Sequence, residues 1–201
     1  MRNAITLKMS ARQKEIIIGK ILGDGHLETR TQGKTYRLKI EHSIHQKEYV
    51  NWLYQELQSL TSSEPKGKLQ RVKGKEYEKV WFNTRATSSL QFYGNQFYRN
   101  GKKVVPKLIH KWLTPLALAV WFMDDGSIKS KECRGRILNT QSFDATSLKR
   151  LQEALKRNFR IETTLRKQPE GQQIYIPSPA IPRFQAVIGE FILPSMKYKL
   201  G

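Results

Sequence analysis

Two stretches of this chain carry the same signal half a chain apart. Residues 16–28 read IIIGKILGDGHLE and residues 117–129 read ALAVWFMDDGSIK. Each is an apolar run of helical length that ends in Asp-Gly. The two aspartates, Asp24 and Asp125, lie 101 residues apart in a chain of 201. Self-similarity at that spacing restricts the fold to two copies of one supersecondary unit.

The flanks repeat as well. YRLKIEH (36–42) and RILNTQS (136–142) alternate as half-buried strands do. Each is followed by an amphipathic helical segment, residues 46–60 with Tyr49, Leu53 and Leu57 on one face, and residues 145–159 with Leu148, Leu151 and Leu155 on one face. Short basic strands come next, at 66–72 and 78–86, then at 161–167 and 172–176. A last helix closes each half, near 88–98 and 179–191. The order helix, two strands, helix, two strands, helix therefore occurs twice. The expected organisation is an N-terminal half at 1–98, a bridge at 99–115 (RNGKKVVPKLIHKWLTP) and a C-terminal half at 116–201.

The two Asp-Gly helices are apolar nearly all round, so both are expected to be buried. Gly19 and Ala119 allow close approach of such helices. Thr114 suits an N-cap, Pro115 a first turn, and Gly25 and Gly126 a left-handed C-terminal cap. Each helix nevertheless ends in a carboxylate, where the helix dipole costs it about 0.3–1 kcal/mol. If the helices pack side by side, Asp24 and Asp125 also repel one another. A divalent cation removes both penalties. Oxygen ligands select a hard ion, so Mg²⁺ is the expected metal, held by Asp24 and Asp125 with the carbonyls of Gly23 and Asp124 as further ligands. The competing reading is two ordinary exposed Asp-Gly turns, which the matched repeat disfavours.

Charge identifies the partner. Lys and Arg number 36 against 17 Asp and Glu, a net charge of +19. A surplus of that size fits a polyanion, because neutralising phosphates releases counterions. The first 14 residues hold no apolar run long enough for a signal peptide, and no stretch reaches transmembrane length. The single Cys133 excludes an internal disulfide, and no Cys/His cluster has zinc-site spacing. The expectation is a soluble intracellular protein, in a bacterial or archaeal cytoplasm or an organelle, that does not engage a membrane.

At these residues the chain resembles the LAGLIDADG homing endonucleases. The family's nine-residue motif falls on IIGKILGDG (17–25) and LAVWFMDDG (118–126). The first copy departs from it at Lys20 and Leu22. LTPLALAVWFMDDG (113–126), ILNTQSF (137–143), LPSMKYKL (193–200), GKTYRLKIEH (33–42) and NGKKVVP (100–106) resemble the single-chain branch typified by the mitochondrial omega-intron endonuclease. The resemblance implies an α+β (mixed α/β) fold: two pseudo-symmetric αββαββα halves, the motif helices at their interface, and two four-stranded antiparallel sheets forming a saddle for DNA. It implies a site-specific endonuclease, a monomer, that makes a staggered break with short 3′ overhangs in a long double-stranded target and promotes homing of an intron or other mobile element. Mn²⁺ is expected to replace Mg²⁺, and Ca²⁺ to bind without supporting cleavage.

The same resemblance assigns roles. Asp24 and Asp125 are metal ligands, one per strand cut. Lys103 and Lys199 place a cation near each attacking water, with Lys102 as the fallback for Lys103. Lys39 and Asn139 are taken as matching strand positions that orient water. Basic strands supply DNA contacts: Arg30, Lys34, Arg37, Lys39, Lys68, Arg71, Lys79 and Arg85 from the first sheet, and Lys129, Arg134, Arg136, Asn139, Gln141, Arg166, Gln172 and Tyr175 from the second. The other reading of any one of these is a solvated charge. His26 has Ser127 as its counterpart, so it is read as a DNA or structural contact rather than a general base. Two alternatives remain: an RNA maturase that assists group I intron splicing, and a non-catalytic DNA-binding regulator on the same fold.

Overall fold

The helix with no polar face is the centre of its surroundings. It spans Pro115–Asp125 and buries every residue from Leu116 to Asp124. Thr114 caps it, its hydroxyl accepting from the Ala117 amide at 3.2 Å, and Pro115 opens the first turn. Each large apolar side chain buried this way contributes about 1.5–3 kcal/mol, so the sequence permits residues 116–124 no exposed position.

The computed structural model describes residues 6–130 and 133–201. The elements in chain order are α1 (Ala11–Leu22), β1 (His26–Glu28), β2 (Arg37–Ser43), α2 (Lys47–Leu57), β3 (Lys66–Val72), β4 (Lys75–Asn83), α3 (Gln91–Phe97), the two-residue strands β5 (Tyr98–Arg99) and β6 (Lys102–Lys103), α4 (Pro115–Asp125), β7 (Gly126–Ser130), β8 (Cys133–Leu138), α5 (Ala145–Phe159), β9 (Thr164–Gln168), β10 (Gly171–Ile176) and α6 (Ile181–Ile188). The αββαββα order therefore appears twice, as the repeat requires. Two four-stranded antiparallel sheets form, ordered β1-β2-β4-β3 and β7-β8-β10-β9. Among the described residues, no helix is long and apolar enough to cross a membrane.

The chain makes two compact units. One takes the residues up to Lys14 and Asp24–Asn95, the other Glu15–Gly23 and Gln96–Gly201. In the first unit, α2 lays Tyr49, Val50, Leu53 and Leu57 on the sheet face carrying Leu38, Ile40, Val80 and Phe82. The strict alternation of β2, with every second residue buried, selects that face. In the second unit, α4 packs against α6, where Phe122 meets Phe184 edge to face at 5.0 Å. The sheet adds Leu138, Ile174 and Ile176, and α5 adds Leu148, Leu151 and Leu155.

Residues 15–23 belong to this second unit and run beside α4 in the same direction. Thr114 donates to Glu15 at 2.8 Å near one end, and Lys20 meets Asp124 near the other. Gly19 makes the close approach possible. A Cβ there would stand 2.5 Å from the Ala117 carbonyl oxygen and 2.7 Å from the Val120 Cβ.

The expected left-handed caps do not occur. Gly126 is extended, with φ −77° and ψ 146°, and Gly25 is not among the glycines at positive φ. The reason is topological: α4 passes directly into β7. Gly126 is required for space instead, because a Cβ would lie 2.2 Å from the Phe122 ring.

Candidate functional site

Each motif helix ends on a carbonyl that accepts from a lysine. Lys103, on β6, donates from Nζ to the Gly23 oxygen at 2.7 Å. Lys199, at the end of the turn Pro194–Lys199, donates to the Asp124 oxygen at 2.8 Å and the Met123 oxygen at 2.5 Å. Gly23 and Asp124 are the residues immediately before Asp24 and Asp125. The two carbonyls expected to bind metal thus each hold an ammonium group, and a carbonyl oxygen retains a second lone pair. A cation at a helix C-terminus is favourable, so the chain itself supplies positive charge at both helix ends. Lys103 makes this contact, whereas Lys102 is exposed.

Asp24 follows α1 with its side chain 49% exposed, 3.8 Å from the buried ring of His42. It opens onto a pocket of about 500 Å³ in the first unit, shared with His26, Glu28, Lys39, Glu41 and Lys79. His42 is fixed by Gln46, 3.1 Å from its Nδ1, and by an edge contact with Tyr49 at 5.2 Å. Glu41 receives Lys68 at 2.7 Å and lies 3.6 Å from Lys39. Burial alone would raise the Glu41 carboxyl, but the hydrogen bond from Lys68 and the charges of Lys68, Lys39 and Lys79 outweigh it and hold the group below its usual range.

Asp125 is the last residue of α4. Its carbonyl accepts from both the backbone and the side-chain amide of Asn139, at 3.0 and 2.9 Å. Gln173 in turn donates to the Asn139 Oδ1 at 2.7 Å. Asn139 is therefore the residue across the ladder from Asp125. In the first sheet His26 pairs with Lys39, so two steps along the same register Glu41 stands across from Asp24. Lys39 and Asn139 do not match. The counterpart of Asn139 is Glu41, and that of Lys39 is Ile137, the partner of Ser127. His26 and Lys39 are 13 residues apart but Ser127 and Ile137 only 10, so the β1–β2 connection is three residues longer and shifts one register against the other.

Asp124 departs furthest from expectation. Its carboxylate meets Lys20 at 2.7 Å, and both side chains have no exposure. In the sequence Lys20 stands only as a departure from the motif. A charge inside the buried run of residues 16–22 is itself the missed signal, because lysine is almost never fully buried unless paired.

Strand parity sorts the expected DNA contacts. On the first sheet Lys39, Glu41 and Lys79 share the outer face, with Lys68 opposite Lys79 and Arg37 beside Glu28. Arg30 and Lys34 are exposed in the β1–β2 connection. Arg71 has the parity of the core face and pairs with Glu76. Arg85 donates to the Ser59 carbonyl at 2.8 Å and so braces the fold. On the second sheet Tyr175 and Arg166 face outward, and Lys129 sits over the Tyr175 ring at 5.2 Å. Gly135 leaves room for that ring, since a Cβ would be 2.4 Å from it. Gln141 is half-buried in the turn after β8.

Three expected contacts lie on the opposite face of that sheet. Arg136 is buried, its guanidinium donating to the carbonyls of Arg134 and Leu200, so it cannot reach a duplex on the outer face. Arg134 lines the cavity beneath the sheet with Arg136. Gln172 has the parity of Ile174 and is replaced on the outer face by Gln173.

A sequence model of the LAGLIDADG DNA endonuclease family matches residues 14–184. The chain belongs to that family. This LAGLIDADG protein is 31% identical over 211 residues to the DNA endonuclease I-ChuI of Chlamydomonas applanata, covering 97% of each chain. It is 34% identical over 199 residues to the cytochrome b mRNA maturase bI2 of Saccharomyces cerevisiae, covering 92% of this chain and 46% of that protein. Its structure superimposes with a TM-score of 0.91 on the homing endonuclease I-WcaI bound to its DNA recognition sequence, at 26% identity, covering 98% of this chain and 88% of that one.

Proposed function

We propose that this LAGLIDADG protein is a site-specific homing endonuclease that hydrolyses both strands of a long DNA target, leaving short 3′ overhangs, and so promotes homing of an intron or other mobile element. One observation carries the reading: a lysine ammonium is fixed on the carbonyl before each motif aspartate, Lys103 before Asp24 and Lys199 before Asp125. A helix cap does not need a carboxylate beside it. Each ammonium group is fixed on the carbonyl one residue before a motif aspartate, once in each repeat, which supports a monomer with functional halves at 1–98 and 116–201 joined by 99–115.

The donor set fits a hard divalent ion. Asp24 and Glu41 share one pocket as oxygen donors, and Asp125 provides a carboxylate at the other site. Mg²⁺ held by Asp24 at one site and by Asp125 at the other would supply an acidified water and neutralise charge on the phosphoryl group. Mn²⁺ is proposed to substitute, and Ca²⁺ to bind without cutting. The chain's own groups do the remainder. Lys103 and Lys199 stabilise developing negative charge. Asn139 holds the Asp125 backbone, and Glu41, kept ionised by Lys68 and Lys39, orients water at the Asp24 site. Arg30, Lys34, Arg37, Lys79, Lys129, Arg166 and Tyr175 contact the duplex.

The deciding experiment incubates the protein with Mg²⁺ and a library of intron-less insertion-site DNA. The expected result is a double-strand break at one long site by the wild type, a nick by Asp24→Asn or Asp125→Asn, and none by the double variant. No cleavage by any of them would falsify the endonuclease reading. The likeness to mRNA maturases favours one second reading, assisted splicing of an intron RNA, which binding of that RNA without DNA cleavage would support.

A further inference from the structure

A Lys–Asp pair with no exposure sits inside the unit that carries the Asp125 site. Lys20 Nζ is 2.7 Å from the Asp124 Oδ1. Burying two charges costs much of what their attraction returns, so such a pair is weak support for stability, and apolar residues of equal volume often serve as well. The repeat shows that the fold does not need charges there. The residue equivalent to Asp124 in the first motif is Gly23, and the residue equivalent to Lys20 in the second is Trp121. The pair therefore exists once, not twice.

Its surroundings show what it acts on. The Asp124 carbonyl accepts from Lys199, and the Asp125 carbonyl accepts twice from Asn139. The Asp124 side chain fills the space over Gly23, where a Cβ would meet its carboxylate at 2.4 Å. The peptide leading into Asp125 is thus gripped from three elements: α1 through Lys20, the last turn through Lys199, and the end of β8 through Asn139. The Lys20 contact acts through the side chain of the residue beside Asp125.

We propose that Lys20 is a positioning residue for the Asp125 site, holding the Asp124–Asp125 backbone through the buried ion pair. It fixes the axial level of α4 against α1 and makes one of the two sites more rigidly built than the other. The proposal rests on the endonuclease reading for its kinetic consequence, but its structural consequence can be measured without cleavage.

The test uses Lys20→Met/Asp124→Asn, which removes both charges at nearly constant volume, and Asp124→Asn alone, which keeps a hydrogen-bonding partner for Lys20 should the double variant fail to fold. The first readout is amide hydrogen exchange of Asn139, whose N–H binds the Asp125 carbonyl, against Thr84, whose N–H binds Leu38 in the first unit. Asn139 is expected to exchange at least about tenfold faster while Thr84 is unchanged. The second is strand-resolved single-turnover cleavage, with the strands assigned by Asp24→Asn and Asp125→Asn. The Asp125 strand is expected to slow at least about tenfold at unchanged DNA affinity, and the Asp24 strand less than about threefold. Equal shifts at both amides and both strands, or no shift, overturn the proposal. If the wild type cuts nothing, the endonuclease reading fails, and the exchange of Asn139 still decides whether Lys20 positions the Asp125 backbone.

Discussion

Lys199 donates from Nζ to the carbonyl oxygen of Asp124 at 2.8 Å, on the peptide that leads into Asp125. The lysine is buried, and the bond spans 75 residues of chain. Replacing Lys199 by Met should slow cutting of the Asp125 strand by about 10²–10³-fold, the usual effect of deleting one preorganised electrostatic group. It should also destabilise the protein by about 1–3 kcal/mol, because buried carbonyls lose a donor. Lys103→Met should act on the other strand. Strand-resolved cleavage and urea unfolding check both effects, and equal loss on both strands by either variant would contradict the assignment.

Strand parity predicts which basic residues hold DNA. Lys79→Ala and Arg166→Ala remove outward charges, so each should weaken binding and reduce the slope of log affinity against log salt by about 1. Arg71→Ala has the other parity and should leave the slope unchanged. Titrations at three or more salt concentrations discriminate, and a loss of slope with Arg71→Ala would show that the outer face is not the one used.

Two glycines make a paired test of packing. At Gly19 a Cβ would stand 2.5 Å from the Ala117 carbonyl oxygen, which is backbone and cannot step aside. Gly19→Ala should cost about 1–3 kcal/mol or more. At Gly189 nothing lies within 4 Å of the position a Cβ would take. Gly189→Ala should be neutral or stabilise by about 0.4–1 kcal/mol through the unfolded chain. Urea midpoints report both, and similar behaviour of the two variants would disprove the close approach of α1 to α4.

The Cys133 thiol is pulled from 9.0 down to about 7, first by the hydrogen bond with the Tyr175 hydroxyl and then by the Gly135 amide, with Ser178 and Lys129 adding to the effect. The thiolate is the form favoured by folding. Its contribution to stability is complete above the unfolded value near 9 and is lost as pH falls through about 7. Alkylation by iodoacetamide, followed by mass spectrometry, should therefore titrate with a midpoint near 7 in the folded protein. A midpoint near 9 in both folded and unfolded protein would remove the Tyr175 contact from the argument.

Much of the site was legible before folding was considered. Asp24 and Asp125 are marked by the repeat, which places both at the same point of local sequence, and Lys103 and Lys199 by the resemblance of their flanks to the family. The strand elements were legible for the same reason, through the alternation in β2. The pairing of Lys39 with Asn139 was not, because equivalence across a sheet depends on register, and register depends on how many residues each connection holds. Arg136 and Gln172 illustrate the related limit. Both sit in basic or polar strands, yet a step of one residue turns a side chain to the other face. Lys20 was visible as an anomaly, but its partner lies 104 residues away.

What the sequence by itself determined is periodic and local: two buried helices ending in Asp-Gly, two sets of four strands, and a surplus of positive charge suited to a polyanion. Those follow from hydrophobic spacing and composition, which any window of the chain carries. What only the tertiary structure decided is which groups converge on each helix end. The lysines on the Gly23 and Asp124 carbonyls, the Asn139 bonds to Asp125, and the Lys20–Asp124 pair all join residues at least 14 positions apart. Contacts of that kind are set by packing and register, which emerge only when the whole chain has folded.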